Sequence, residues 1–98
     1  MKTFKGKIAV VTGGGTGMGR ELVRQLARSG CNVAMCDVIE ENMHETLSIV
    51  SSESPEVQVS AHFCDVSLED QVIAFKEAMI KEHETTHINL LFNNAGIG

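Results

Sequence analysis

Two kinds of apolar pattern alternate along the chain, and their order predicts its architecture. Short, largely apolar runs, typical of strands buried on both faces, cover residues 7–12, 32–36, 57–66 and 88–92. Longer segments with apolar residues at helical spacing cover residues 17–29, 40–51 and 67–84. Strands separated by helices of this length pair in parallel through right-handed crossovers. The pattern therefore predicts an α/β fold, a doubly wound parallel sheet of βαβαβαβ order.

Local signals mark several element boundaries. Gly30 is placed to end the first helix. The loop at residues 51–56 contains the only proline, Pro55. Ser67-Leu68-Glu69-Asp70 has the form of a capping box, which predicts the start of the third helix.

Composition narrows the class of protein. The chain has 98 residues, 43% of them hydrophobic, which is enough for one core and no second domain. Its formal net charge is −5, and its eight Lys and Arg residues are scattered rather than clustered. A nucleic-acid-binding protein normally carries a clustered basic face, so we expect no nucleic-acid partner.

Membrane, export and metal roles are also disfavoured. No stretch approaches the roughly 18 consecutive apolar residues of a membrane span, and the first apolar run is too short for a signal peptide. We therefore expect no membrane association and a cytoplasmic location. Cys31, Cys36 and Cys64 are an odd number without C-x-x-C spacing, which predicts reduced, mostly buried thiols. The histidines lack metal-site spacing, so no metal site is expected.

The glycine-rich segment at residues 12–19, T-G-G-G-T-G-M-G, lies between the first strand and the first helix. Glycine suits a turn that needs positive φ, and it lets a diphosphate approach the backbone closely. The following helix offers unpaired N–H groups and the positive end of its dipole to phosphates. Such a loop can be only a tight turn, but its place between strand and helix favours a dinucleotide site.

Asp37, at the end of the second strand, agrees with that interpretation. An acidic residue there accepts hydrogen bonds from the adenosine ribose hydroxyls of a dinucleotide. Its charge also repels a 2′-phosphate, and no Lys or Arg lies in the loop or just after Asp37 to offset this. The sequence thus favours NAD over NADP. The alternative is a solvated strand-end carboxylate or helix cap.

Three motifs together resemble the short-chain dehydrogenase/reductase family. Residues 12–19 are similar to its T-G-x-x-x-G-x-G signature, residues 93–96 match its N-N-A-G motif, and Asp65-Val66 is similar to the pair that holds adenine. They occur in the family's order, each at the end of a predicted strand. The resemblance covers the whole chain and implies a Rossmann-type sheet of order 3-2-1-4, with residues 1–98 as a truncated NAD-binding half-domain.

The resemblance also implies roles for particular residues. Asp37 would bind the adenosine ribose, Asp65 the adenine amino group, and Asn94 would pass beside the cofactor. Thr12 and Asn93 are expected to tie neighbouring loops together rather than to touch the cofactor. The full set of implied cofactor contacts is Gly13, Gly15, Thr16, Gly17, Met18, Gly19, Asp37, Val38, Asp65, Val66 and Asn94.

The family's catalytic groups are a Ser, a Tyr and a Lys, the last two as Y-x-x-x-K, with Tyr as general acid or base. This sequence contains no tyrosine, so no catalytic residue is assigned and the chain alone is expected to be inactive. The resemblance implies an NAD-dependent oxidoreductase acting on a secondary alcohol or ketone, a substrate site in a missing C-terminal half, and a homo-oligomer.

Two other functions remain open from the sequence. The first is a non-catalytic Rossmann-type dinucleotide-binding protein or redox sensor. Only the absence of the catalytic Tyr and Lys would distinguish such a protein from the oxidoreductase. The second is a methyltransferase, whose loop normally carries an acidic residue at the strand end where Thr12 stands.

Overall fold

The computed structural model describes residues 5–85 and 87–94, which form seven elements. In chain order these are β1 (Ile8–Thr12), α1 (Gly17–Arg28), β2 (Asn32–Asp37), α2 (Glu40–Glu53), β3 (Val59–Phe63), α3 (Glu69–His83) and β4 (Leu90–Asn93).

All strand pairs are parallel, and the sheet has the order β3-β2-β1-β4. The register pairs Thr12 of β1 with Cys36 of β2 and with Asn93 of β4. On the outer side of β2, Asp37 pairs with Phe63 of β3. The predicted α/β fold, its element order and its strand order 3-2-1-4 are confirmed.

The central strands β1 and β2 are covered on both faces, which explains why they are continuously apolar. Successive side chains of a strand point to opposite faces. Val11 and Met35 belong to the core cluster on the face of α1 and α2, together with Val23 and Met43 of those helices. The residues that contribute to the opposite cluster, against α3, are Val10, Ala34, Cys36, Cys64, Phe75 and Met79.

Element ends differ from the sequence expectations by a few residues. The largest difference is the third strand, expected at residues 57–66 and observed at Val59–Phe63. Its partner β2 ends at Asp37, which pairs with Phe63, so beyond this point there is no neighbouring strand to extend the ladder. Gly30 follows the end of α1 with φ of +90°, as its position predicted.

The capping box expected at residues 67–70 does not form. The N-cap of α3 is Leu68, which makes no side-chain capping bond. Ser67 instead donates from its N–H and its hydroxyl to Oδ1 of Asp65, at 2.9 and 2.6 Å. The nearby carboxylate is the stronger acceptor, and the local side-chain-to-backbone turn competes with the cap.

A polar cluster connects β3 to α3. The hydroxyl of Ser60 lies 2.8 Å from Nε2 of His62 and 2.7 Å from Nε2 of His83. One hydroxyl hydrogen can serve one of these nitrogens, so the other ring donates its own N–H to Ser60. Burial lowers the pKa of both histidines, and Glu82 opposes this in both cases. Within the described residues, the buried Nδ1 of His83 has no hydrogen-bond partner.

Acidification should therefore destabilise the fold. Both folded-state pKa values lie below that of an unfolded histidine, so the unfolded chain binds more protons as pH falls below about 6.5. Protonated His83 would also bury an unpaired N–H. We expect the urea midpoint to drop between pH 7 and 5, and to drop less in His83→Gln. The exposed His44→Gln variant is the control, and an unchanged pH dependence in His83→Gln would contradict the assignment.

Candidate nucleotide-binding site

The predicted site residues gather at the carboxyl ends of the strands, around a cleft of about 470 Å³. This is the edge at which ligands bind in open α/β sheets. The lining residues are Gly13, Thr16, Cys36, Asp37, Val38, Cys64, Asp65, Val66, Ser67 and Asn94. The remaining predicted residues, Gly15, Gly17, Met18 and Gly19, belong to the adjoining loop and the first turn of α1.

The glycine loop makes a close turn from β1 into α1. Gly13 and Gly17 have φ of +72° and +57°, a region that favours glycine. Gly13 donates its N–H to the Cys36 carbonyl at 2.7 Å, which ties the loop to the end of β2. A Cβ on Gly19 would overlap the Gly13 carbonyl oxygen and would lie 2.7 Å from the Gly13 carbonyl carbon. Glycine at residue 19 is therefore required by the contact between α1 and the loop.

The N-terminus of α1 is available to a ligand on the cleft side. Its N-cap, Thr16, is extended and makes no side-chain capping hydrogen bond. The first turn contains no acidic residue, so no carboxylate from the helix neutralises the positive end of the dipole. Met18 in this turn is 75% exposed. Unpaired N–H groups at a helix N-terminus are suited to binding an anion, and phosphate binding here stays a prediction.

The Asp37 carboxylate is aimed back at the glycine loop. Its Oδ2 accepts the Gly15 N–H at 3.0 Å, and its Oδ1 accepts the Val38 N–H at 2.7 Å. A Cβ on Gly15 would lie 2.7 Å from Oδ2, so glycine at this position permits the contact. Each oxygen retains a lone pair, and Asp37 can still accept from a ligand hydroxyl.

Asp65 and Val66 lie on the far wall of the cleft. The two hydrogen bonds from Ser67 stabilise the charged form of the Asp65 carboxyl, and they therefore lower its pKa. The Asp65 N–H donates to Oε1 of Gln71 at 2.8 Å, which anchors this turn to α3. Both residues line the cleft, and these hydrogen bonds fix Asp65 there.

The asparagines after β4 connect that strand to the glycine loop. Asn94 donates from Nδ2 to the Gly13 carbonyl at 3.3 Å. The Thr12 hydroxyl donates to Oδ1 of Asn93 at 3.0 Å, so these two residues have the structural role predicted for them. Ala95 and Gly96, the rest of the N-N-A-G motif, lie outside the described residues.

Sequence reasoning did not place two cysteines in the cleft. Cys36 and Cys64 are buried, unbridged and part of its lining. Burial raises the pKa of Cys36 to about 12, and burial also raises that of Cys64. Both thiols are consequently neutral near pH 7, and this part of the lining carries no charge.

Arg20 is the third residue that sequence reasoning missed. It follows the glycine loop directly and donates to the Gly15 carbonyl from Nε at 3.1 Å and from Nη2 at 2.7 Å. Its Nη1 lies 2.7 Å from a carboxylate oxygen of Glu45 in α2. The guanidinium therefore faces the loop backbone and α2.

Two other kinds of feature are absent from the described part of the chain. Residues 5–85 and 87–94 contain no group of three or more His, Cys, Asp or Glu side chains placed to hold a metal ion. None of the helices formed by these residues has the length and apolar character that crossing a membrane requires.

Comparison with known proteins identifies the family. The short chain dehydrogenase family profile matches residues 7–98. The chain belongs to the short-chain dehydrogenase family. Membership confirms the resemblance seen in the three motifs, and it favours an oxidoreductase over the methyltransferase alternative.

Individual short-chain dehydrogenases cover the whole fold. Levodione reductase of Leifsonia aquatica is 34% identical over 94 residues, or 96% of this chain and 34% of its own length. A Burkholderia phymatum short-chain dehydrogenase/reductase in complex with NAD has a TM-score of 0.88 at 35% identity, over 100% of this chain and 34% of its own. A metagenomic short-chain oxidoreductase in complex with NADP reaches 0.87 at 28% identity, over 99% and 42%. The chain thus spans about a third of the length of the curated relatives it matches.

Proposed function

We propose that this chain is the NAD(H)-binding part of a short-chain dehydrogenase. The whole protein would transfer hydride between the nicotinamide and a secondary alcohol or ketone, as a homo-oligomer. The observation that carries the proposal is the position of Asp37. Its carboxylate lies on the cleft, held by the Gly15 and Val38 N–H groups, where an adenosine ribose would present its hydroxyls.

The shape of the site fits such a ligand. Gly19 has no side chain and packs closely against Gly13, so no side chain at residue 19 covers the loop backbone beside the N-terminus of α1. A diphosphate would bind there. Asp65 and Val66 would meet the adenine on the other side of the cleft. The neutral Cys36 and Cys64 thiols add no charge against an aromatic ring.

The preference for NAD over NADP rests on charge. Solved relatives of this chain include complexes with either cofactor, so the fold alone does not decide. A 2′-phosphate would sit against the Asp37 carboxylate, which repels it. Arg20 does not offset this repulsion, because its guanidinium is directed to Gly15 and Glu45.

The reaction divides between cofactor and protein. NAD supplies the hydride acceptor when it is bound. The residues of this chain would bind and orient its adenosine and diphosphate, with Asp37 fixing the ribose and the loop fixing the phosphates. The general acid or base on the substrate oxygen, a tyrosine by family resemblance, is not among these 98 residues. We therefore expect binding without turnover from this chain alone.

Calorimetric titration with NAD and NADP tests the proposal. The chain should bind NAD more tightly than NADP, and Asp37→Ala should weaken NAD binding by about tenfold or more, because it removes a charged acceptor. The same variant should reduce the difference between the NAD and NADP affinities, because it removes the charge that repels the 2′-phosphate.

The matched control is Asp70→Ala, which removes an exposed carboxylate in the first turn of α3, outside the cleft. It should leave both affinities unchanged. Binding of neither cofactor by a chain with intact circular dichroism would overturn the proposal. Measured turnover with an alcohol by the whole protein would exclude the non-catalytic alternative.

A further inference from the structure

We propose that Arg20 is a positioning residue for recognition of the adenosine ribose, acting through Gly15 on Asp37. Together with Thr46 of α2, it forms a brace that holds the two peptide groups flanking the Gly15 Cα, so that the Gly15 N–H meets the Asp37 carboxylate. The inference rests on the proposed function, because it assigns cofactor selectivity to residues that do not line the cleft.

The Gly15 carbonyl is the centre of the brace. It accepts two hydrogen bonds from the Arg20 guanidinium, at 3.1 and 2.7 Å, and lies 3.0 Å from the Thr46 hydroxyl. Hydrogen bonds from an ionised donor are about twice as strong as neutral ones. Arg20 therefore makes the dominant contribution to fixing the peptide group between Gly15 and Thr16.

Thr46 cannot replace Arg20 in this role. Its hydroxyl is fully buried and lies within 3.2 Å of three carbonyl oxygens, those of Gly14, Gly15 and Asn42. A hydroxyl has one hydrogen, so it can serve only one of these acceptors at a time. The single Nε hydrogen of Arg20 is shared between the Thr46 oxygen at 2.9 Å and the Gly15 carbonyl at 3.1 Å, and Nη2 donates to the carbonyls of Gly15 and Asn42. The Thr46 hydrogen is then left for the Gly14 carbonyl.

The opposite side of the Gly15 peptide leaves little room for movement. A Cβ on Gly15 would lie 2.7 Å from Oδ2 of Asp37 and 2.9 Å from the Cβ of Asn42. Gly15 is thus confined between the end of β2 and the first turns of α2. Its N–H belongs to the peptide group whose oxygen is the Gly14 carbonyl, and the Thr46 hydroxyl lies 3.1 Å from that oxygen. Arg20 donates to the Thr46 oxygen, which leaves the hydroxyl hydrogen to fix the Gly14 carbonyl.

The orientation of the peptide group between Gly14 and Gly15 determines where the carboxylate points. The Gly15 N–H lies 3.0 Å from Oδ2 of Asp37, and the Val38 N–H holds the other oxygen. If Arg20 is shortened, the Gly15 carbonyl loses its charged donor and Thr46 is no longer held toward the Gly14 carbonyl. The peptide group between Gly14 and Gly15 can then turn, and the carboxylate loses one of its two backbone donors. Asp37 then presents a less ordered acceptor to the ribose and a less focused charge against a 2′-phosphate.

A double-mutant cycle tests this coupling with NAD and NADP as the probes. We expect Arg20→Gln to weaken NAD binding by about tenfold and to reduce the NAD-over-NADP preference. In an Asp37→Ala background, Arg20→Gln should weaken NAD binding by less than about twofold, because the carboxylate on which Arg20 acts is already absent. Arg20→Lys, which keeps the charge without the planar fork, and Thr46→Val supply further variants should Arg20→Gln fail to fold.

The control is Arg28→Gln, which removes an exposed guanidinium at the other end of α1. It should change neither affinity. If Arg20→Gln weakened NAD binding equally in the native and the Asp37→Ala backgrounds, the inference would be overturned, since the effect would be independent of the carboxylate. An unchanged preference for NAD in folded Arg20 variants would also overturn it.

Hydrogen exchange separates this inference from the proposed function, because it needs no cofactor. The Gly15 amide should be protected in the native chain and should lose protection in both Arg20→Gln and Asp37→Ala. If the native chain binds neither cofactor but shows this pattern, the proposed function fails and the brace stands. Cofactor binding with Gly15 protection unaffected by Arg20→Gln would leave the proposed function intact and reject the brace.

Discussion

Gly19→Ala should remove nucleotide binding and destabilise the fold by about 3 kcal/mol or more. The added Cβ would overlap the Gly13 carbonyl oxygen and lie 3.0 Å from Nδ2 of Asn94. Neither Gly13 nor Asn94 can move aside without losing a hydrogen bond. Gly13 is held by its N–H bond to the Cys36 carbonyl, and Asn94 donates to the same Gly13 carbonyl. Relief of the clash therefore requires α1 to move away from the loop, which opens the phosphate site.

Urea unfolding and NAD titration of the two glycine variants Gly19→Ala and Gly17→Ala would measure this. Gly17 has φ of +57° but nothing within 4 Å of its missing Cβ, so alanine there should cost only about 1–2 kcal/mol of backbone strain. A loss of stability at residue 19 no larger than that at residue 17 would contradict the steric account. So would NAD binding by Gly19→Ala at native affinity.

The features that sequence reasoning could find are those set by local chemistry. The central strands read as continuous apolar runs because α1 and α2 cover one face and α3 the other. The glycine loop is required by positive φ at Gly13 and Gly17 and by contact at Gly19. The position of Asp37 at the end of β2 can be read from the sequence, because it directly follows an apolar run.

The features that it could not find depend on contacts between distant residues. Arg20 meets Asn42 and Thr46 across 22 and 26 residues, and no local pattern indicates that pairing. The end of β3 is fixed by where β2 ends, not by its own apolar pattern. The capping box failed because Asp65, two residues before Ser67, takes both of its donors.

Met35→Ala should destabilise the fold by about 2–5 kcal/mol, because it truncates a core side chain next to the glycine loop. Met35 is fully buried in the core between β2 and the helices α1 and α2. It also supports the glycine loop from below, since a Cβ on Gly14 would lie 2.7 Å from the Met35 Cβ. Thr46 lies 3.1 Å from the Gly14 carbonyl on the other side.

The position of Met35 beneath the glycine loop explains why the loss of stability should fall in the upper part of the range of about 2–5 kcal/mol. The cost of a truncation depends on how far the surroundings collapse into the space that is left. The Gly14 and Gly15 peptides are held by Thr46 and Arg20, so the loop cannot settle onto an alanine without breaking those bonds. The cavity would therefore persist beneath the loop.

Calorimetric unfolding of Met35→Ala against Met18→Ala would measure the difference. Met18 is 75% exposed, so its truncation should change stability by no more than about 0.5 kcal/mol. For a domain of this size, each kcal/mol lost lowers Tm by roughly 4–8 °C. A Met35→Ala variant within a few degrees of the native Tm would mean that the loop does collapse. In that case the hydrogen bonds from Arg20 and Thr46 do not hold the glycine loop rigidly, and the selectivity assigned to Arg20 would lose its physical basis.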